Sequence, residues 1–534
     1  MTQRLPKEQR FLHGAMILTI STVLVKIIGF LFTIPLLNML GAEGMGYFYT
    51  AYEIYGLFTV VFTTGLPVAA AKMVSEAVTK KNNSLADAIF SASKFLFYLF
   101  GLVCAVAMFF FADGLADLLK NPNAALAMRA LAPMVFFQAV LAAYRGYFQG
   151  KSNMIPTAAT QIIEAVLKLL FGVGAAYALL KLGYSNAFAA AGAIAGVSIG
   201  SVVAVIYLLF YKKKDDKYIE GLSSLSTDIN NKHLIKSLIS IAVPITLGTA
   251  IFNLIGIIDT GIIMRRLQDA IGLSYYESNW LFGVYGNAKK LFNLPIAFIV
   301  PLSSSVIPAL SAALTRKDQK SAKGLTAQSL KVTSLLAFPS GAGLFALAYP
   351  IMNLIYFKSS EEIAIGAQLL SVLGIAVVFS SLVLITSSII QVGYDVKYPA
   401  ITMTIGGIIK IGLCWILVGN SDIGIIGAPI STCVCYAVTA ILNIILICRK
   451  LINVKDAMII FIKIAACSVI MAVAAYNLNG LLVRAINAKI ACILSMILGV
   501  IIYGVLAVTT KLVTRDDFKQ FPKGEKIANI LHIK

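Results

Sequence analysis

The chain has 534 residues, of which 59% are hydrophobic and only 13% are charged, and its mean hydropathy is +0.87. Because soluble domains carry about a quarter charged residues, this composition excludes a soluble protein and indicates an integral membrane protein. The net charge of +20 is explained by basic loops on the cytoplasmic side of the membrane, so nucleic-acid binding is not predicted.

Fourteen apolar segments follow one another along the chain. A helix needs about 20 apolar residues to cross a bilayer, and each segment is long enough. The sequence therefore predicts an all-α polytopic membrane protein with about 14 transmembrane helices. The predicted spans 1 to 14 are 11–39, 47–71, 85–111, 124–144, 156–180, 187–211, 234–263, 280–308, 325–357, 363–390, 398–418, 423–448, 456–476 and 488–510.

The charges of the loops test this count. With the N-terminus in the cytoplasm, 27 Lys and Arg residues of the loops and tails fall on the cytoplasmic side and six on the other side. Arg145, directly after span 4, is counted among the 27. Cytoplasmic loops carry such an excess of basic residues, so the pattern predicts a multi-pass protein with both termini in the cytoplasm.

One stretch of the sequence occurs twice. Residues 149–168 read QGKSNMIPTAATQIIEAVLK and residues 391–410 read QVGYDVKYPAITMTIGGIIK, an offset of 242 with the proline slipping by one. A repeat of this length indicates two copies of one unit. Six spans per copy give both copies the same orientation, so we expect two lobes related by a pseudo-twofold axis, with a central cleft between them.

The predicted domains follow from this repeat. A polar, charge-rich segment separates the two copies as a linker, and spans 13 and 14 lie outside the duplication. The domains are an N-terminal lobe 1–211, a cytoplasmic linker 212–233, a C-terminal lobe 234–448, two extra helices within 449–510 and a cytoplasmic tail 511–534.

Charged residues also lie inside the predicted spans. Each would cost about 2.5–3.5 kcal/mol if it faced lipid at mid-depth, so most must face a polar interior or lie shallow. A chamber with surplus positive charge and apolar walls attracts a polyanion such as phosphate or pyrophosphate. The eight cations are Lys26, Lys94, Arg129, Lys168, Lys289, Lys290, Lys410 and Lys463, and the three acids are Glu53, Glu164 and Asp259.

These residues differ in how well they qualify as ligands. Lys26 is the strongest candidate, because it lies in the middle of span 1 and that span holds no acid. Lys289 and Lys290 point about 100° apart on a helix, so at most one of them faces the cleft. Asp259 either pairs with Lys26 or Lys290 or takes part in substrate coupling, and both alternatives stay open.

Three further residues have competing interpretations. Glu53 lies among the aromatic residues of YFYTAYEIYGLF (47–58), which form either an interfacial belt or a polar wall that contacts sugar groups. Lys168 follows Glu164 by one helical turn, so the pair either neutralises itself or leaves Lys168 as a ligand. Lys410, the counterpart of Lys168 in the second copy, has no acid in its span and is also a candidate ligand.

Other kinds of site are not predicted. The seven cysteines lie inside apolar runs without zinc-type spacing to histidine, so neither a metal site nor a disulfide is expected. A membrane enzyme would need clustered acids or histidines in a polar loop, and the three histidines lie in or near cytoplasmic ends. The chain is therefore not predicted to be an enzyme, and no cofactor is expected.

Several stretches resemble a known family of membrane proteins. They are VKIIGFLFTIPLLNMLGAEGMGYF (25–48), GLPVAAAKMVSE (65–76) and the paired turns QGKSNMIP and QVGYDVKYP. These stretches resemble the polysaccharide-transporter branch of the multidrug/oligosaccharidyl-lipid/polysaccharide exporter (MOP) superfamily. Within that branch they are similar to the MurJ-like and stage V sporulation protein B-like flippases, and the resemblance covers nearly the whole chain.

The resemblance implies a flippase of the bacterial cytoplasmic membrane that moves an undecaprenyl-pyrophosphate-linked sugar, above all lipid II, by alternating access. It implies a cavity lined by spans 1, 2, 7 and 8 and a groove for the lipid tail along spans 13 and 14. Lys26 occupies the place of a family basic residue that meets the pyrophosphate, and Lys289 or Lys290 approximately matches another. Phe32 stands where Gram-negative members have a second basic residue.

Two other transport functions stay open. The first is a flippase for another polyprenyl-linked glycan, such as a capsule or spore-envelope sugar. The second is a drug or cation antiporter on the same fold, which would need an acid in the cleft, whereas span 1 has none. The expected partners are the lipid-linked glycan, the bilayer and the cell-wall synthesis machinery, with membrane potential or an ion gradient as the driving force.

Overall fold

The structure is a computed structural model that describes residues 7–80, 82–219, 231–356, 360–394, 397–449, 451 and 454–513. These residues form seventeen α-helices and no strand. The helices are α1 (Lys7–Val60), α2 (Leu66–Thr79), α3 (Asn83–Phe110), α4 (Ala112–Leu118), α5 (Ala124–Gly150), α6 (Ile155–Leu167), α7 (Val173–Lys181), α8 (Asn186–Ile219), α9 (Asn231–Asp269), α10 (Tyr275–Thr315), α11 (Gln319–Ala346), α12 (Ala348–Ile355), α13 (Ser360–Gly393), α14 (Lys397–Val418), α15 (Gly427–Cys448), α16 (Val454–Leu482) and α17 (Ala488–Thr509).

These helices confirm the predicted all-α polytopic fold class. Within the described residues, ten helical stretches are long and apolar enough to cross a membrane, or eleven if α11 and α12, bent by 77°, form one span. The first stretch, Ile20–Thr79, carries predicted spans 1 and 2 together, and α9 and α10 carry predicted spans 7 and 8. The protein is therefore a multi-pass membrane protein.

The first stretch bends at Gly41, where predicted spans 1 and 2 meet. Gly41 has a φ of 63° and a ψ of −175°, a conformation that strains any residue with a Cβ atom. Further on, a π-helical turn, Val61–Gly65, joins α1 to α2, whose first turn contains Pro67. Proline has no backbone N–H to donate, which favours a change of hydrogen-bond register at this point.

The chain divides into two compact units, Met1–Gly283 and Val284–Lys534. In the first unit, α5 is the central helix and packs against α1, α2, α3 and α8. Its buried faces are rich in alanine and glycine, which let neighbouring backbones approach closely, as in other membrane helix bundles. In the second unit, α13 packs against α11 and α15, and α16 packs against α11 and α17.

The predicted lobes and linker stay predictions. Helix α8 extends past the predicted lobe end to Ile219, and an ion pair between Lys151 and Asp215 at 2.9 Å ties this extension to the end of α5. The middle of the predicted linker, 220–230, and most of the predicted tail, 514–534, lie outside the described residues.

Two helices begin at capping motifs outside the predicted spans. At α10, the backbone N–H and the hydroxyl of Ser274 donate to Glu277 Oε2 at 2.9 and 2.7 Å, and the Glu277 N–H donates to Ser274 Oγ at 3.2 Å. At α11, the Asp318 carboxylate accepts from the N–H and the hydroxyl of Ser321 at 3.0 and 2.6 Å. These bonds lower the pKa of Glu277 and of Asp318, because they stabilise the charged carboxylate.

A buried hydrogen-bond network ties the first turns of α10 to α1 within the first unit. Asn121 Nδ2 donates to Thr50 Oγ1 at 2.9 Å and to Asn279 Oδ1 at 2.8 Å. Asn279 Nδ2 donates in turn to the carbonyl oxygen of Glu43 at 2.8 Å. Thr50, Asn121 and Asn279 are fully buried, so the two side-chain amide donors need these partners.

We predict that Gly283→Ala disrupts this contact between α10 and α1. A Cβ atom at Gly283 would lie 1.8 Å from the carbonyl oxygen of Ala42, a backbone atom that cannot move without displacing its helix. Overpacking of this kind costs about 1–3 kcal/mol, which is measured as a lower thermal unfolding midpoint in detergent. Gly504→Ala in α17 is the matched control, because its Cβ meets nothing within 4 Å. An unchanged midpoint for Gly283→Ala would contradict the close approach.

Candidate functional site

A cavity of about 380 Å³ lies within the first unit. Its walls come from α1, α5, α6 and α8, and from the start of the π-helical turn Lys168–Gly172 that joins α6 to α7. Two cations, one acid and two amides are thereby brought together among otherwise apolar helices. The lining residues are Thr22, Val25, Lys26, Gly29, Tyr52, Met134, Gln138, Gln161, Glu164, Ala165, Lys168 and Val197.

Lys26 reaches the cavity from α1. Thr22, Lys26 and Gly29 are spaced by four and three residues, so they share one face of the helix. The Lys26 side chain is exposed, and the space next to Gly29 is open. The structure thus places the first predicted ligand on a cavity wall.

Lys168 contacts the aromatic side chains of α1. Its Nζ atom lies 4.5 Å from the centroid of the Phe32 ring and 5.3 Å from the centroid of the Tyr52 ring. The negative face of an aromatic ring attracts a cation by about 0.5–2 kcal/mol. Tyr52 belongs to the aromatic segment predicted as a belt or a polar wall, and in the structure it lines the cavity.

Both carboxylate oxygens of Glu164 accept hydrogen bonds. Arg145 Nη2 donates to Glu164 Oε2, while Gln138 Nε2 and, at 2.9 Å, Ser201 Oγ donate to Glu164 Oε1. Arg145 Nε also donates to Thr160 Oγ1 at 3.0 Å. The side chains of Arg145 and Glu164 are only 15% and 17% exposed, so this ion pair is largely shielded from solvent.

The pairing gives Glu164 a cation that the sequence did not assign to it. The sequence predicts a loop at Arg145, but α5 continues to Gly150, so Arg145 lies inside the helix and reaches α6. The lining of the cavity therefore carries two lysines against one carboxylate, and that carboxylate already has an arginine as its partner. The overall charge of the cavity lining is positive, which favours an anionic ligand.

Two predicted acids lie outside the lining of the cavity. Glu53 faces α9, since a Cβ atom at Gly256 would lie 2.7 Å from Glu53 Oε2. Asp259 is buried about one turn further along α9. No group of three His, Cys, Asp or Glu side chains that could hold a metal ion occurs in the part of the chain that the structure describes.

The other three predicted ligands belong to the second unit. Lys289 is half-buried and Lys290 is exposed, both on α10. Lys410 is 9% exposed and lies on the buried face of α14 together with Thr402. The roles of these three lysines in binding stay predictions.

An apolar groove of about 700 Å³ lies in the second unit. Residues of α11, α13 and α16 line it, among them Phe338, Ile375 and Val469. Helix α16 carries predicted span 13, whereas α17, which carries span 14, packs against α16 and contributes no lining residue. A groove of this size and polarity suits a hydrocarbon chain.

Comparison with known proteins identifies the family. Residues 11–314 match the family described as polysaccharide biosynthesis protein. Stage V sporulation protein B of Bacillus subtilis (strain 168) is 25% identical over 525 residues, which cover 96% of this chain and 98% of that protein. Lipid II flippase MurJ of Bacillus subtilis (strain 168) is 23% identical over 423 residues, which cover 76% of each chain.

The fold is also that of a solved transporter. A structure of lipid II flippase MurJ in an inward closed conformation aligns with a TM-score of 0.71 and 18% identity, over 93% of this chain and 98% of that one. The activity named for these MurJ relatives is that of a flippase, which is a transporter and not an enzyme. The family match extends over more than half of this chain. The chain therefore belongs to the polysaccharide biosynthesis protein family.

Proposed function

We propose that the protein is a flippase that carries a polyprenyl-linked glycan across the membrane, with the pyrophosphate of the headgroup bound in the cavity of the first unit. The observation that carries this proposal is the presence of two lysines, Lys26 and Lys168, on the wall of one cavity. An ammonium group at membrane depth is costly unless it faces water or a polar ligand. Two such groups together favour a ligand with at least two negative charges.

The position of Lys168 strengthens this argument. Phe32 stands where the resemblance to Gram-negative flippases implies a second basic residue in span 1. The Lys168 ammonium lies 4.5 Å from the Phe32 ring, so span 5 brings a cation to the place where span 1 lacks one. Lys26 and Lys168 together therefore support a two-cation site for the pyrophosphate.

The prenyl chain would be bound separately. The apolar groove lined by α11, α13 and α16 in the second unit offers a hydrocarbon chain a place of matching polarity. Each buried CH₂ group contributes about 0.8 kcal/mol when it leaves water, so the chain stays in the groove or in the bilayer. Only the charged headgroup then needs a polar path across the membrane.

Transport by alternating access follows from binding on one side and release on the other. The headgroup enters from the cytoplasmic side, where we place both termini, and leaves on the opposite side as the two proposed lobes move. Glu53 and Asp259, and Lys289 or Lys290 with Lys410, are further proposed contacts along this path. We propose that membrane potential or an ion gradient drives the return of the empty carrier.

The substrate we propose is lipid II, and the similarity to a relative named lipid II flippase supports it. The similarity to stage V sporulation protein B supports a second candidate, a polyprenyl-linked sugar used during sporulation. Rescue of a bacterial strain that lacks its lipid II flippase separates the two. Growth of the rescued strain is expected, and failure to grow despite normal membrane levels of the protein would contradict lipid II.

We predict that Lys26→Ala lowers translocation of labelled lipid II about 10- to 100-fold, because a hydrogen bond to a charged group is worth about 1.5–3 kcal/mol. Translocation is measured in cells with matched membrane levels of each variant. Lys181→Ala is the control, since Lys181 is an exposed lysine at the end of α7 that does not line the cavity. Unchanged translocation by Lys26→Ala would remove Lys26 from the site.

The role of Lys168 can be tested by moving the cationic side chain from one helix to another. Lys168→Ala is expected to reduce translocation about 10-fold or more, because it removes one of two cations. Adding Phe32→Lys to Lys168→Ala places a cation next to the position of the lost ammonium, which lies 4.5 Å from the Phe32 ring, and we expect it to recover part of the loss. Phe32→Leu combined with Lys168→Ala is the matched control and should recover nothing. Equal activity of the two double variants would show that charge at this position is not needed.

A further inference from the structure

The ion pair between Arg145 and Glu164 borders the proposed anion site. Glu164 lines the cavity together with Lys26 and Lys168, so its carboxylate lies near any ligand bound there. Like charges repel much more strongly in an apolar interior than in water. A carboxylate on this wall would therefore weaken the binding of an anion unless a cation neutralised it.

Arg145 supplies that cation from outside the lining. Its guanidinium donates to Glu164 Oε2 and, from Nε, to Thr160 Oγ1 at 3.0 Å, so two groups of α6 hold it. Gln138 and Ser201 donate to the other oxygen, Glu164 Oε1. Donors from α5 and α8 thus fix the carboxylate at the cavity wall, and its charge acts there throughout.

We propose that Arg145 and Glu164 set the affinity of the cavity for its anionic headgroup, an inference that rests on the proposed function of this cavity. Three cations, Lys26, Lys168 and Arg145, less one carboxylate give a local charge of +2. Loss of the Arg145 charge lowers this sum to +1, and loss of the Glu164 charge raises it to +3. The two partners of one ion pair therefore act on affinity in opposite directions.

A purely structural ion pair behaves differently. Loss of either partner leaves the other charge buried and uncompensated, so both changes weaken the fold in the same direction. Opposite effects on binding therefore distinguish a pair that tunes the site from a pair that only holds helices together. An intermediate affinity also suits transport, because tighter binding of related ligands mostly reflects slower release.

The test measures binding of inorganic pyrophosphate to the full-length protein in nanodiscs by calorimetry. We expect Arg145→Gln to weaken binding about tenfold and Glu164→Gln to tighten it about tenfold. A tenfold change corresponds to about 1.4 kcal/mol, a size that one unit charge near a bound anion can supply at an effective dielectric constant of about 20. The double variant, with Arg145→Gln and Glu164→Gln together, restores the local charge and is expected to bind within about threefold of the unchanged protein.

An exposed ion pair of the same unit provides matched controls. Asp113→Asn and Arg129→Gln make the same charge changes in the pair Arg129–Asp113. Arg129 and Asp113 do not line the cavity, and both side chains are exposed, so solvent and salt screen their charges. Neither control is expected to change the affinity, so an effect of net protein charge is separated from a local one.

A charge-conserving variant covers the case in which Arg145→Gln fails to fold. Arg145→Lys keeps the cation, and we expect it to bind pyrophosphate within about threefold of the unchanged protein. The thermal unfolding midpoint of every variant is measured alongside. Weaker binding by Arg145→Lys at an unchanged midpoint would overturn the inference, because the charge would then not be what matters.

The remaining outcomes separate this inference from the proposed transport function. Weaker binding by both Arg145→Gln and Glu164→Gln assigns the pair a structural role and overturns the tuning, whatever the protein transports. Absence of saturable pyrophosphate binding, or binding that Lys26→Ala leaves unchanged, overturns the inference together with the anion site. Opposite shifts in a protein that does not translocate lipid II support the tuning and contradict only the choice of substrate.

Discussion

A charge at membrane depth needs an opposite charge, an aromatic face or a polar cavity, and this requirement governs the arrangement of the first unit. Arg145 and Glu164 form an ion pair. Lys168 lies against two aromatic rings, and Lys26 lines the cavity. Of these four described residues, Lys26 is the one that depends chiefly on water or a ligand for its stabilisation. In the proposed site, binding of an anion would offset the cost of a charge at membrane depth, about 2.5–3.5 kcal/mol per group.

The helices could be predicted from apolar runs, because a chain in lipid must satisfy all its backbone hydrogen bonds internally. The position of Lys26 on a cavity wall could be predicted as well, since a lysine in the middle of an apolar run without an acid has no local partner. The place of Arg145 inside a helix could not be predicted, because the apolar run of span 4 stops at 144. Helix α5 continues to Gly150, and Arg145 meets Glu164 on a different helix, a contact that hydropathy does not show.

The environment of Lys168 was beyond prediction for a different reason. Regular helical spacing allows either a pair with Glu164 one turn away or a role for Lys168 as a ligand. In the structure Lys168 begins a π-helical turn that ends at Gly172, and such a turn shifts the faces of the helix that follows. A Cβ atom at Gly172 would lie 2.9 Å from Phe32 Cε2, so a glycine lets this span approach α1. The ammonium consequently lies over the Phe32 ring, a contact that depends on backbone geometry and on a distant residue.

The repeated stretch shows that one architecture can carry unequal chemistry. Lys168 ends the first copy and Lys410 ends the second, so equal positions would suggest equal roles. A π-helical turn follows Lys168 and its ammonium contacts the rings of α1, whereas α14 runs on regularly past Lys410, which is 9% exposed on its buried face. The duplication supplies the helices, but the cavity wall also includes Lys26, and the ring that Lys168 contacts belongs to Phe32; both residues lie outside the repeated stretch. The partners of a lysine, more than its place in the repeat, therefore decide whether it can meet an anion.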